Sequence, residues 1–125
     1  YGPFRNAVES QLEGDRKTYQ QDYRRRDEGL LELALDEREG ADILMVKPAL
    51  AYLDVLSRAS AFTKKPLAAY LVSGEYTMVE AGAAAGAFDR DSTVFELLYA
   101  LKRAGAQVIC TYWALEFAIK LKDMK

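Results

Sequence analysis

Three residues stand where an apolar run of this chain gives out, and each carries a group able to act on a ligand. Lys47 closes Ile43-Leu44-Met45-Val46, Ser73 follows Leu67 to Val72, and Tyr112 follows Val108-Ile109-Cys110-Thr111. A neutral lysine amine attacks carbonyl carbon to give an imine. Apolar surroundings around Lys47 would free the amine by disfavouring its ammonium form. The hydroxyls of Ser73 and Tyr112 can donate hydrogen bonds to a carboxylate. Together the three suit a keto acid, with the lysine taking the ketone and the hydroxyls the carboxylate. The same pattern also fits a lysine whose stem lies on a sheet with its head in water, beside two structural hydroxyls.

A second group lies near the start. Arg5, Arg16, Lys17 and Gln20, with Phe4 and Tyr19 among them, fall in a stretch of weak periodicity broken by Gly2-Pro3 and Gly14-Asp15. Long loops in compact domains are functional or disordered. Forked cationic donors on such a loop suit capture of a carboxylate or phosphate, and a solvated linker with incidental charge fits as well.

Elements able to position these residues can be read from the periodicity. A helix is expected over 24–38, with Leu30, Leu31, Ala34 and Leu35 as its apolar stripe, Glu32 facing away, and Gly40 as its cap. A buried strand then runs to Lys47, where Pro48 stops it. Further helices are expected over 52–61, 77–87, 89–104 and 113–122, with strands over 66–72 and 107–112. Gly40 to Lys47 resembles Gly105 to Tyr112: a helix cap, a buried strand, then a polar side chain at its exit. Alternating strands and helices imply a parallel sheet with right-handed crossovers. Chemistry on such sheets sits at the carboxyl ends of the strands. Three strands cannot close a barrel, which needs about eight. Exposed sheet edges and apolar faces are therefore expected, and with them a need for further polypeptide.

With 125 residues, half of them apolar, the chain is one domain or part of one. A net charge of −2 argues against nucleic acid as a partner, and no apolar run reaches the length of a membrane span. No signal-peptide pattern stands at the start. The single cysteine, Cys110, has no internal disulfide partner and reads as a buried structural thiol. With no histidine, Ser–His catalysis and histidine metal sites are absent from this chain.

Met45-Val46-Lys47-Pro48 with Tyr52-Leu53-Asp54, preceded by Glu39-Gly40-Ala41-Asp42, resembles the Schiff-base lysine motif of the porphobilinogen synthase (5-aminolevulinate dehydratase) family. Further motifs resemble that family in the right order: Tyr1-Gly2-Pro3-Phe4-Arg5, Gly14 to Gln20, Val72-Ser73-Gly74-Glu75-Tyr76, and Lys102 to Ala106 followed by Thr111-Tyr112. The resemblance covers essentially the whole chain and implies the C-terminal portion of such an enzyme. It implies an α/β fold whose parallel βα units form the C-terminal part of a TIM (β/α)8 barrel, incomplete in this chain. Residues 1–23 would be an active-site lid and 24–125 a partial barrel domain.

The family condenses two molecules of 5-aminolevulinate to porphobilinogen, in tetrapyrrole biosynthesis, with loss of two waters. By resemblance Lys47 forms the imine, Ser73 and Tyr112 bind the carboxylate of that substrate, and Arg5, Arg16 and Gln20 hold the other. Phe4, Tyr70 and Val72 would line the pocket. Glu32 matches a glutamate that helps hold a structural magnesium between subunits in magnesium-responsive members, although Arg25 stands where an asparagine is usual. The family's second lysine, and the cysteines for catalytic zinc, belong to segments outside this chain. The chain alone would then form an imine without condensing two substrates. The resemblance further implies a homo-octamer and a cytoplasmic enzyme, with mitochondrial and plastid versions looking alike once a leader is lost. Two rivals are a degenerate, non-catalytic relative serving a larger assembly and a class I aldolase.

Overall fold

A computed structural model describes residues 20–123. In chain order it runs α1 (Glu28–Arg38), β1 (Leu44–Val46), a 3-10 turn (Leu50–Tyr52), α2 (Leu53–Phe62), β2 (Leu67–Tyr70), α3 (Ser73–Ala84), α4 (Arg90–Arg103), β3 (Val108–Cys110) and α5 (Ala114–Asp123). The strands form one parallel sheet in the order β1-β2-β3. Met45 stands level with Ala68, and Ala68 with Val108. Each crossover passes through helix, as parallel pairing requires. The alternating strand–helix order expected from the periodicity is thus present, with shorter strands.

Two of the strands are fed in the same way. Gly40, at φ 99°, and Gly105, at φ 112°, occupy the left-handed region where a Cβ is strained. Behind each glycine the chain closes its helix alike. The N–H of Gly40 donates to Glu37 O and that of Ala41 to Asp36 O; Gly105 donates to Lys102 O and Ala106 to Leu101 O. These paired bonds satisfy the last helical carbonyls and turn the chain straight into β1 and β3. At Gly105 an added Cβ would also lie 2.5 Å from Ser60 Cβ.

Helix α1 departs from expectation. It begins at Glu28 rather than Arg24, because Arg24 is folded back in a turn onto the Asp22 carboxylate at 2.7 Å. Its inward residue is Leu33, with Leu30 packed against the core, while Leu31 is 57% exposed and Leu35 36%. The run Leu30-Leu31-Glu32-Leu33-Ala34-Leu35 offers two helical phases, and packing on β1 and α2 selects the one through Leu30 and Leu33. Helix α3 starts at Ser73, four residues earlier than expected, because the Glu75 side chain reaches back to its N-cap. Asp89 caps α4 by accepting from the Ser92 N–H at 2.8 Å.

The faces of the sheet differ. Leu44 and Val46 on β1, Leu67 and Ala69 on β2, and Leu71 just beyond it are buried with Leu56, Val94, Leu101, Trp113 and Phe117 of the helical layer. Burial of a leucine there contributes about 1.5–3 kcal/mol. On the alternate positions Ile43 (54%), Met45 (43%) and Val108 (42%) are exposed. The apolar face and strand edges expected to lie open do so among the described residues, where β1 and β3 are the edge strands. Cys110 is half-buried rather than buried.

Candidate active site

Parallel strands in register bring their carboxyl ends to one rim. Val46 pairs with Ala69, which puts Lys47 level with Tyr70; Tyr70 in turn pairs with Cys110, two residues before Tyr112. Neighbouring strands lie about 4.8 Å apart, so the three exits share one rim, although the cavity that Lys47 lines includes none of Tyr70, Ser73 and Tyr112. The Tyr70 and Tyr112 hydroxyls meet at 3.3 Å. Tyr112 is 58% exposed, its ring tilted by 49° against Tyr76 at 5.3 Å, and Tyr76 also lies 5.1 Å from Trp113. Tyr76 enters the sequence reading only as the end of the Val72–Tyr76 motif, with no role of its own; its place one helical turn beyond Val72 is the signal that puts it on this rim.

Lys47 is exposed. It lines a cavity of about 240 Å³ at the outer edge of β1, together with Gln20, Arg25, Glu32, Asp36 and Tyr52. Leu33, Met45, Val46, Pro48 and Val55 line the same cavity, so the exposed Lys47 stands in mixed surroundings rather than the wholly apolar ones expected. Gln20 lines the same cavity as Lys47. Burial pushes the Tyr52 phenol up, and Asp54 and Tyr23 push the same way, so it stays neutral at ordinary pH.

Ser73 is the first residue of α3 and half-buried; Val72, its N-cap, is 4% exposed. Phe4, Arg5, Arg16 and Lys17 lie outside the described residues. Glu32 is exposed, and among the described residues no three metal-ligating His, Cys, Asp or Glu side chains cluster. A magnesium at Glu32 would thus need ligands from elsewhere.

Two polar devices hold the rim. Between the β1 and β2 exits, the wholly buried Glu75 carboxylate accepts from the Leu50 N–H at Oε1 and the Val72 N–H at Oε2, both at 2.7 Å. Burial pushes this carboxyl up, and the backbone donors oppose that. Behind the β3 exit, the Trp113 indole donates to Glu80 Oε1 at 2.7 Å. Arg90 holds Glu80 at 2.9 Å and Glu116 at 2.7 Å, and Lys120 holds Glu116 and Asp91. Hydrogen bonds from Arg90, then Lys120, bring the Glu116 carboxyl down to about 2.

A parallel sheet crossed by helices, with a lysine and paired phenols on its carboxyl rim, defines an α/β protein of the kind that places its chemistry at strand exits. The sequence model of the delta-aminolevulinic acid dehydratase family matches residues 1–120. Delta-aminolevulinic acid dehydratase of Streptomyces coelicolor is 57% identical over 122 residues, 98% of this chain and 37% of the relative. The Mycobacterium tuberculosis enzyme of that name is 52% identical over 118 residues, 94% of this chain and 36% of its own length. Among solved structures, the Toxoplasma gondii delta-aminolevulinic acid dehydratase (porphobilinogen synthase), crystallised with its reaction product porphobilinogen, superposes with a TM-score of 0.83. It is 47% identical, and the match covers 93% of this chain and 34% of that one. The chain belongs to the delta-aminolevulinic acid dehydratase family and spans just over a third of the length of these relatives. These matches fix the extent of the correspondence, and the C-terminal placement implied by the motifs stays an expectation. They favour neither a non-catalytic remnant nor an aldolase.

Proposed function

We propose that this chain is the imine-forming part of a porphobilinogen synthase, a lyase that joins two molecules of 5-aminolevulinate into porphobilinogen. The observation that carries the reading is the rim itself: Lys47 lies level with Tyr70, whose hydroxyl meets that of Tyr112. The neutral Lys47 amine adds to the ketone carbon of 5-aminolevulinate. The carbinolamine loses its oxygen as water and leaves a C=N bond to Nζ. Tyr112 and Ser73 donate to the substrate carboxylate, and Tyr70 orients the Tyr112 hydroxyl. Gln20, with Arg5 and Arg16, holds the carboxylate of the second molecule, while Phe4 and Val72 close the pocket. Residues 1–23 act as the lid over a partial barrel formed by 24–125. The exposed face bearing Ile43, Met45 and Val108 supports this, being the face that further strands of a barrel would enclose.

A homo-octamer in the cytoplasm, with magnesium held between subunits by Glu32 and ligands of a second chain, completes the proposal. Catalytic zinc would need ligands that this chain does not supply. No helix among the described residues is long and apolar enough to cross a membrane.

Borohydride reduction in the presence of 5-aminolevulinate, followed by peptide mass spectrometry, tests the reading. A substrate adduct on Lys47, lost in Lys47→Ala, is expected. A folded protein that traps no substrate, or traps it equally without Lys47, would overturn it.

A further inference from the structure

The Lys47 and Ser73 exits belong to different strands, and one side chain joins them. Glu75 sits in the first turn of α3, two residues after Ser73, and is 0% exposed. Its Oε2 accepts from the Val72 N–H, closing the N-terminus of its own helix. Its Oε1 crosses to the Leu50 N–H, where the 3-10 turn after Lys47-Pro48 begins. Between these contacts the Ala49 N–H donates to Tyr70 O at 3.1 Å. Each oxygen thus fixes a different strand exit, and the described residues show no cation on this carboxylate. Val72 has no side-chain oxygen to accept from the first N–H groups of α3, and Glu75 supplies the other half of a capping box by accepting from the N-cap's own N–H.

We propose that Glu75 is a positioning residue of the imine site, a backbone strap that sets the Lys47 loop relative to Ser73. The inference rests on the functional reading above. Nothing but a carboxylate can accept at both ends: a glutamine presents one acceptor oxygen and turns an NH2 toward the other N–H. Glu75→Gln should therefore keep the shape and release one exit.

In the full protein carrying this chain, three measurements test the strap. Borohydride trapping of 5-aminolevulinate on Lys47 should slow about 10-fold or more in Glu75→Gln, since an ångström of misplacement costs on the order of 100-fold in rate. Amide exchange at Leu50 or Val72 should quicken by a similar factor. Val94→Ala, a core truncation on α4, serves as the control for lost stability and should trap at the unaltered rate below its unfolding temperature. Glu75→Gln with unaltered trapping and exchange would overturn the proposal, as would equal slowing in Val94→Ala. Absence of trapping in the unaltered protein would sink the functional reading instead, and amide exchange would still decide whether the strap exists.

Discussion

The rim is held by two devices built on opposite physics. Between β1 and β2, a single buried carboxylate binds backbone N–H groups. Behind β3, half-exposed carboxylates and cations of α3, α4 and α5 hold one another and the Trp113 indole. The first works in the interior, where two strand exits converge on backbone N–H groups. The second works where helices converge at the surface and long side chains can reach. A buried acceptor is dear to remove because its donors lose water as well as partner, whereas surface ion pairs are individually worth little and are screened by salt.

Substitutions should expose that contrast. Glu75→Leu strands two N–H groups and should cost about 2–4 kcal/mol in denaturant unfolding, from about 1–3 kcal/mol for each unsatisfied group less the relief of a buried charge. The loss should be nearly the same in 1 M salt; a loss that halves in salt would erase the distinction. Trp113→Phe deletes the bond to Glu80 and also replaces a buried indole packed on Tyr76 with a smaller ring. A loss of about 2 kcal/mol or more, mostly from the cavity, is expected by unfolding, with the Tyr112 exit loosened in amide exchange. Arg90→Met removes the cation shared by Glu80 and Glu116 and should cost about 1 kcal/mol at low salt, less at 1 M.

The smallest effect should be one of sign with pH. The folded Glu116 carboxyl lies at about 2 against an ordinary 4.5. Its stabilisation is present above 4.5 and is lost as pH falls toward about 2. Glu75 is raised, so it works in reverse: its contribution is full below 4.5 and is lost as pH rises through the folded value. Denaturant midpoints from pH 2 upward should show the acid limb flattened in Glu116→Gln. The opposing slope should vanish in Glu75→Gln. Like slopes in both variants would break the comparison.

Local grammar made much of this legible beforehand. Gly40 and Gly105 mark the helix ends, and apolar runs mark strands leading to Lys47, Ser73 and Tyr112, which the structure ends one to three residues earlier, at Val46, Tyr70 and Cys110. The buried face of α1 is not legible locally, because its leucines satisfy two helical phases. Glu75 is legible only as a member of the Val72–Tyr76 motif; its role is not, because its partners are main-chain N–H groups, which every residue but proline carries and no side-chain pattern marks. The setting of Lys47 is mixed rather than wholly apolar because α1 and the residues from 20 onward, distant in sequence, add Gln20, Arg25, Glu32 and Asp36 to its apolar neighbours.

By itself the sequence determined the order of strands and helices, their glycine caps and the residue types at each strand exit. These follow from backbone sterics and hydrophobic period, which act over a few neighbours. Only the tertiary structure decided which face of α1 is buried, that the Tyr70 and Tyr112 hydroxyls touch, and that one carboxylate spans two exits. Such choices depend on packing and on donors brought together from 25 or more residues apart.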